Sequence, residues 1–358
     1  MPFEQATDLS IIVPILNEAE ELPGLLETLL AQQEIRFELI LCDGGSSDET
    51  LNLAQQMAEG CRADVRCIHA PRGRGRQMNA GASLARSEIL LFLHADSRFS
   101  DPSALGSAVA AFRERYRKIG SLVAARFALR FRRQKSAPSL AYFFYEAKAR
   151  LDRADCIRGD QGFMLARHFF DELGGFNESL PFLEDVRLAL KIGGQTEWML
   201  LPAEISTSAR RFESEGLCER QVANAIIVNA LVCDWNEFFS TLPWLYRCSN
   251  ESGRLLLFPL LDGIRTLLSA HDHAWRRNFW RATGKHVAAN IWQLFFWLDV
   301  RRDFRAGQQQ VSSPPRWYKL FSRYLEPLTR SPVAAAITAA AVRLWYRLLL
   351  IKSRHMMP

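Results

Sequence analysis

The chain has 358 residues, enough for one α/β domain of about 200 to 250 residues and a second element beside it. Its net charge of +6 hides an asymmetry: residues 241–358 hold 18 Lys and Arg against 6 Asp and Glu, while the first 240 residues hold 27 against 33. The start of the chain, with Glu4 and Asp8, has no basic stretch followed by an apolar core, so no secretory signal is expected and the protein is read as cytoplasmic. Seven cysteines without a C-x-x-C pair suit neither a disulfide framework nor a zinc knuckle, and are expected to be reduced.

Residues 9–14 form a β-branched strand stopped by Pro14, and Asn17, Glu18 and the acids after them open a helix to about Gln33. A second strand, residues 37–42, ends on Asp43 and a Gly-Ser-rich turn that starts the helix 51–59. A third strand near 65–69 leads into a loop carrying Arg72, Arg74 and Arg76 among glycines. Residues 87–96 are an apolar run of strand length ending on Asp96, which reads as a buried strand of a parallel sheet. Ligands of such sheets bind beyond the carboxyl ends of the strands, where Asp43, the arginines and Asp96 would all lie. Taken alone, Asp96 reads equally as the start of a turn and the arginines as a solvated loop. The glycines fit neither G-x-G-x-x-G nor the Walker spacing, which disfavours a dinucleotide fold and a P-loop, whereas guanidinium groups still suit phosphate.

Farther on, the alternation over residues 123–131 predicts a half-exposed strand, and 140–151 a helix. The turn holding Gly159, Asp160 and Gln161 feeds a short strand and a helix that Gly174 and Gly175 cap. Glu184 and Asp185 stand at the front of another helix, where acid also complements the helix dipole.

In order, P-x-x-N-E (Pro14, Asn17, Glu18), D-x-G-S-x-D (Asp43 to Asp48), Arg72 with Gly73, Asn79 and Gly81, a strand ending in His94-Ala95-Asp96, and Glu184-Asp185 resemble the family 2 glycosyltransferases over roughly residues 8–215. The resemblance implies the GT-A fold, a mostly parallel sheet flanked by helices that binds nucleotide-diphospho-sugars. Residues 1–220 are expected to form that domain and 221–358 a helical, basic, Trp-rich region. It further implies donor binding by Pro14, Glu18, Asp43, Arg72, Asn79 and His94, with Asp43 at the base, a UDP-sugar favoured, and Asp96 on a divalent cation, Mg²⁺ or Mn²⁺. Asp185 would be the base that takes the acceptor hydroxyl proton, with inversion at the anomeric carbon, and Asp160, Gln161 and Glu184 would meet the acceptor. His94 departs from the usual first aspartate, Gly44 replaces a second aspartate, and Leu16 stands where an aromatic often stacks on the base. Q-x-x-R-W is missing, with Arg210 and Arg211 in its nearest counterpart, which implies one sugar per encounter and arginines closing over the diphosphate.

Apolar-rich helices are expected at 222–235, 255–268, 287–300 and 333–351. Arg343 and Arg347 cost about 2.5 to 3.5 kcal/mol each at a bilayer centre, so the last is read as interfacial and not spanning. Two readings of the tail stand: reversible binding to an anionic membrane surface, suiting a lipid-linked acceptor, or a helical layer packed on the protein. His271-Asp272-His273 splay around a helix and are not read as a metal site. Residues 308–315 read as a linker. Nucleic-acid binding by the basic, Trp-rich tail is a further alternative but is not the reading adopted. A nucleotidyltransferase would need a Gly-rich, Lys-bearing signature near the first strand, which residues 9–21 lack. A non-catalytic binding protein of the same fold rests only on His94.

Overall fold

A computed structural model describes residues 7–60, 64–251, 253–312 and 315–355. Cys61, the first six residues and residues 313–314 of the expected linker lie outside these. The described chain falls into two compact units: residues 1–132 with 145–208, and residues 133–144 with 209–358.

The first unit is built on β1 (Leu9–Ile15), β2 (Phe37–Asp43), β3 (Asp64–His69), β4 (Ile89–Phe92), β5 (Ala124–Arg132), β6 (Phe163–Ala166) and β7 (Trp198–Ser208), ordered β3-β2-β1-β4-β6-β5-β7. The sheet is mostly parallel; only β6 runs antiparallel to its neighbours β4 and β5. Apolar β1, β2 and β4 are buried along almost their whole length, because helices cover both faces of a parallel sheet. The helices of this unit are α1 (Leu22–Leu30), α2 (Thr50–Gly60), α3 (Arg74–Leu84), α4 (Ala104–Ile119), α6 (Arg167–Glu172) and α7 (Glu184–Gly193), while α5 (Leu140–Lys148) is divided between the units.

Pro14 does not stop β1, which runs on to Ile15. Its pairing with β4 ends at Ile12, so the donor that proline lacks faces a place where no strand remains to accept it. The half-exposed strand expected at 123–131 is also corrected, since β5 is buried over its first six residues and Arg126 is fully enclosed. Its guanidinium donates to Leu151 O at 2.6 Å, and Arg130 pairs with Glu146 and Glu204. Of the alternating arginines, Arg126 is enclosed and bonded to a carbonyl, and the partly buried Arg130 is ion-paired, so the alternation does not mark a wet face.

At the amino ends of the strands, Glu38 of β2 is wholly buried. It accepts from Ser10 Oγ at 2.5 Å and the Arg86 backbone N–H at 2.6 Å and pairs with the Arg66 and Arg86 side chains. Burial alone would raise its pKa, but these donors and cations hold it below the ordinary 4.5.

The second unit is helical: α8 (Arg210–Glu215), α9 (Leu217–Val232), α10 (Asn236–Ser249), α11 (Leu257–Ala270), α12 (His273–Ala289), α13 (Trp292–Arg305), α14 (Arg316–Tyr324), α15 (Glu326–Thr329) and α16 (Pro332–His355). The helix expected at 287–300 is two, because the chain turns at Asn290 and Ile291 between α12 and α13. Trp235, Phe238, Trp275 and Phe279 form one ring cluster, and Trp292 packs on Phe296 and Tyr318. Buried Asp299 accepts the Trp317 and Tyr318 backbone N–H groups at 3.1 and 2.9 Å and so starts α14. Part of the aromatic content is therefore core, while Trp244, Trp317 and Trp345 are exposed. Among the described residues α16 is the one helix long and apolar enough to cross a bilayer by length and composition. The six described cysteines are free thiols.

Candidate active site

The carboxyl ends of β1, β2 and β4 and the turns behind β6 and α7 meet in the first unit. Asn17 takes a left-handed φ of 55° after β1. Its N–H donates to Ser46 Oγ at 3.0 Å and its Oδ1 accepts the Ser47 N–H at 2.8 Å, so the loop after β1 is stitched to the loop after β2. The Glu18 N–H donates to Thr50 Oγ1 at 2.7 Å and its carbonyl accepts the Leu22 N–H at the start of α1. Pro14 is buried within the sheet beneath these loops.

Asp43 ends β2, almost fully buried. Oδ2 accepts the Gly45 N–H at 3.0 Å and Oδ1 accepts Ser46 N–H and Oγ at 3.1 and 2.6 Å, shaping the tight turn that Gly45 enters at φ 89°. Gln77 of α3 donates its amide to both Ile15 O and Cys42 O, at 2.9 and 2.6 Å, and so clamps the ends of β1 and β2. Gly44 leaves room for it, since a Cβ there would lie 3.0 Å from the Gln77 amide.

All three loop arginines are exposed, and Arg74, at the start of α3, is the one whose charge acts on both His94 and Glu184. Sequence spacing offered no means of choosing among the three. Asn79 spends both ends of its amide on the segment after α6: it donates to Phe176 O and Glu178 Oε1, both at 2.9 Å, and accepts the Phe176 N–H at 2.9 Å.

Beyond β4 the chain turns at His94, whose N–H donates to Ser97 Oγ at 3.2 Å. Burial pushes the imidazole pKa down to about 4, with Arg74 assisting against the pull of Asp96 and Asp185, so the ring is neutral at pH 7. Asp96 is held by the end of β7, a strand the sequence pattern did not disclose. Its Oδ2 accepts Thr207 Oγ1 at 2.8 Å and the Ser208 N–H at 3.0 Å, and Oδ1 takes no hydrogen bond from the described residues.

The residue before α7, Leu183, sits in the left-handed region at φ 64°, an uncommon conformation for a branched side chain of the kind that collects at functional sites. It presents Glu184 and Asp185 at the first turn of the helix. Asp185 Oδ2 accepts the Gly159 N–H at 2.7 Å, and Oδ1 takes no hydrogen bond from the described residues. Gly159 is wedged in place, because a Cβ would lie 3.0 Å from His94 Nε2 and 3.2 Å from Asp185 Cβ. His94, Gly159 and Asp185 are thus brought together from positions far apart in the chain.

Gln161 is fully buried; its Oε1 accepts the Arg158 N–H at 3.0 Å and its amide donates to Ala149 O at 2.6 Å. It braces the turn that carries Asp160 and offers no exposed atom to an acceptor. Asp160 has a buried Oδ1 with no hydrogen-bond partner among the described residues, and burial plus the charges of Asp185 and Asp96 raise its pKa to about 7. Burial and Asp185 likewise raise Glu184 to about 7, against the pull of Arg74. Arg210 and Arg211 belong to the second unit, where Arg211 pairs with Glu215 at 3.0 Å and meets Tyr246 Oη at 3.2 Å.

These carboxylates fit a divalent cation. Crowded like charges, an orphaned buried oxygen on Asp160 and an open oxygen on Asp96 are all relieved by positive charge, and the donors are hard oxygens. Among the described residues no three His, Cys, Asp or Glu side chains are grouped to chelate an ion by themselves. One or two carboxylates completed by substrate phosphates is the pattern expected of Mg²⁺.

An α/β unit with a mostly parallel sheet and an acidic cluster at its strand ends is the class that fold and site define. Residues 10–174 match the model described as Glycosyl transferase family 2. It is 42% identical over 105 residues, 29% of this chain and 40% of the relative, to a PGL/p-HBAD biosynthesis glycosyltransferase of Mycobacterium bovis. It is 33% identical over 141 residues, 38% and 43% of the two chains, to an undecaprenyl-phosphate 4-deoxy-4-formamido-L-arabinose transferase of Photorhabdus laumondii. The chain thus spans about two fifths of the length of these curated relatives. Among solved structures, S. aureus TarS 1–349 in complex with UDP has a TM-score of 0.49 at 18% identity, covering 84% of this chain and 92% of that one.

Proposed function

We propose that the protein is an inverting glycosyltransferase that moves one sugar per encounter from a nucleoside diphosphate sugar to an acceptor hydroxyl. The observation that carries this is the placement of Asp185: one oxygen is fixed by the Gly159 N–H and the other is open, at the front of α7 and within electrostatic reach of His94 and Asp160. In this reading Asp185 Oδ1 accepts the acceptor hydroxyl proton while the hydroxyl oxygen bonds to the anomeric carbon and the bond from that carbon to the diphosphate oxygen breaks. Asp96 would hold a divalent cation, Mg²⁺ or Mn²⁺, which would supply positive charge to the leaving diphosphate. Neutral His94 and Arg74 orient the diphosphate, Asp43 and the stitched loops after β1 and β2 face the nucleoside, and Asp160 and Glu184 line the acceptor side.

A UDP-sugar is the proposed donor, since the family's aspartate in the place of Asp43 usually meets uracil. A lipid-linked acceptor, at the cytoplasmic membrane face with the protein bound peripherally, is the proposed setting. The name of the Photorhabdus relative, which specifies undecaprenyl phosphate, supports it.

The test is a screen of nucleotide sugars by thermal shift and turnover with and without Mn²⁺, followed by two variants. Asp185→Asn should keep donor affinity and lose turnover by about 10²-fold to 10⁴-fold, since an amide cannot take the proton. Asp96→Asn should lose the Mn²⁺ dependence of nucleoside diphosphate binding. Near-normal turnover of Asp185→Asn on its acceptor would end this reading.

A further inference from the structure

The second unit contains a groove of about 960 Å³ between α12 and α16, bordered by the end of α11 and the start of α16. Its floor exists because Gly284 lets the helices close: a Cβ there would lie 2.2 Å from Ala335 O and 2.7 Å from Ala339 Cβ. Tyr346 Oη donates to Leu261 O at 2.6 Å, and Arg343 lies 5.6 Å over the Trp280 ring. The walls are cationic. Arg276, Arg277, Arg281 and Lys285 of α12 face Arg343 and Arg347 of α16, and among the described residues no carboxylate lines the groove. Arg265 and Arg330 at its margin are neutralised by Asp262 and Glu326, at 2.8 and 3.1 Å. The other six make no ion pair with any described residue. Six unpaired cations around one groove repel one another, and only an anion from outside the unit relieves that.

A second observation says which anion. Val333, Ile337, Leu344, Leu348 and Ile351 are each more than half exposed. At 3.6 residues per turn they fall within about 60° of arc on α16, and Arg347 and Arg343 follow about 40° and 80° to one side. Apolar stripe, cationic flank and groove therefore succeed one another around a single helix. Nucleic acid and free phosphate use the cations but leave the aliphatic stripe in water. A bilayer surface uses both, with apolar side chains among the acyl chains and guanidinium groups at the phosphates.

We propose that the α12–α16 groove binds the phosphodiester headgroups of anionic phospholipid, with α16 lying in the bilayer interface and its aliphatic stripe in the acyl layer. This locates the peripheral attachment put forward above on particular residues, and it stands or falls without reference to sugar transfer.

The test uses the full chain and needs no turnover. Wild type should float with vesicles containing phosphatidylglycerol at low salt, far less with pure phosphatidylcholine, and release as salt rises. Each surface cation near anionic lipid contributes about fivefold in affinity, so Arg281→Gln/Arg343→Gln/Arg347→Gln should weaken binding about a hundredfold. A Leu344→Ser/Leu348→Ser variant should lower vesicle binding and leave binding of a soluble oligonucleotide or inorganic phosphate unchanged. Lys118→Gln, in the first unit, should change nothing, and circular dichroism and melting temperature establish that each variant folds. Equal binding to neutral and anionic vesicles, no flotation at low salt, insensitivity to the triple substitution, or an oligonucleotide bound more tightly than the anionic vesicle would each overturn the proposal. Loss of transfer in Asp185→Asn with flotation intact keeps the two readings separately testable.

Discussion

Replacing Asp160 by Asn should stabilise the cation-free protein, by an amount that grows with pH. The folded protein holds the Asp160 proton up to about pH 7, whereas the ordinary value is 3.8. The stability associated with this raised pKa is fully present below 3.8 and is lost as pH rises through 7. At about 1.4 kcal/mol per pH unit, wild type is disadvantaged relative to the neutral amide by ~1.5 kcal/mol at pH 5 and by ~4 kcal/mol at pH 8. The amide shares the shape of the carboxyl, and its unmet oxygen replaces one that is already unmet. Chemical denaturation of both proteins in EDTA at pH 5 and pH 8 measures the difference directly. Mn²⁺ should narrow the gap at pH 8, because positive charge among these carboxylates favours the ionised form. A gap that does not change with pH, or a variant less stable at both values, would refute the argument that burial and the charges of Asp185 and Asp96 crowd Asp160.

Two further outcomes follow from the geometry. Gly159→Ala places a methyl group 3.0 Å from His94 Nε2 and 3.2 Å from Asp185 Cβ; it should cost ~1–2 kcal/mol of stability and about a hundredfold in kcat while donor affinity, read by calorimetry, stays within a fewfold. Glu38→Gln removes a buried carboxylate that two guanidinium groups and two donors surround, and should cost ~2–3 kcal/mol at pH 7 by denaturant unfolding. Because the Glu38 pKa is held below 4.5, that contribution is present above pH 4.5 and disappears as pH falls, so the wild-type advantage should shrink toward pH 3.

The strands that carry the site were legible because a buried parallel strand has a short apolar signature and a polar stop. Residues 37–42 and 87–96 show both; β2 ends on Asp43 as read, whereas β4 stops at Phe92 and Asp96 lies four residues beyond it, on the side where the rule for open α/β sheets puts ligands. What failed did so for identifiable reasons. β5 alternates apolar and charged residues, which normally marks a wet face, but its arginines are met by Glu146, Glu204 and a carbonyl inside the unit. β7 carries Pro202, and its register against β5 shifts between Arg126 and Ala128, so its periodicity is broken just where a pattern would be read. Asn79 and Gln161 look in sequence like ligand-binding amides, and Gln77 carries no signal at all. Only the folded chain reveals that each is consumed in holding one backbone segment to another. Choosing Arg74 over Arg72 likewise needed the direction of a helix start, which spacing alone does not encode.

The division of the chain into units has a consequence for the order in which it is made. Residues 133–144 leave the ribosome 64 residues before the next part of their own unit, residue 209, a delay of roughly 3 to 13 s at about 5 to 20 residues per second. Throughout that interval Phe143 and Phe144 lack Phe304 and Phe296, the rings they finally meet. The segment is an apolar flag raised early in synthesis. A chain cut after Ser208 would leave it raised permanently, so a soluble stand-alone version of the first unit calls for polar replacements at Phe143 and Phe144 as well as a new stop codon.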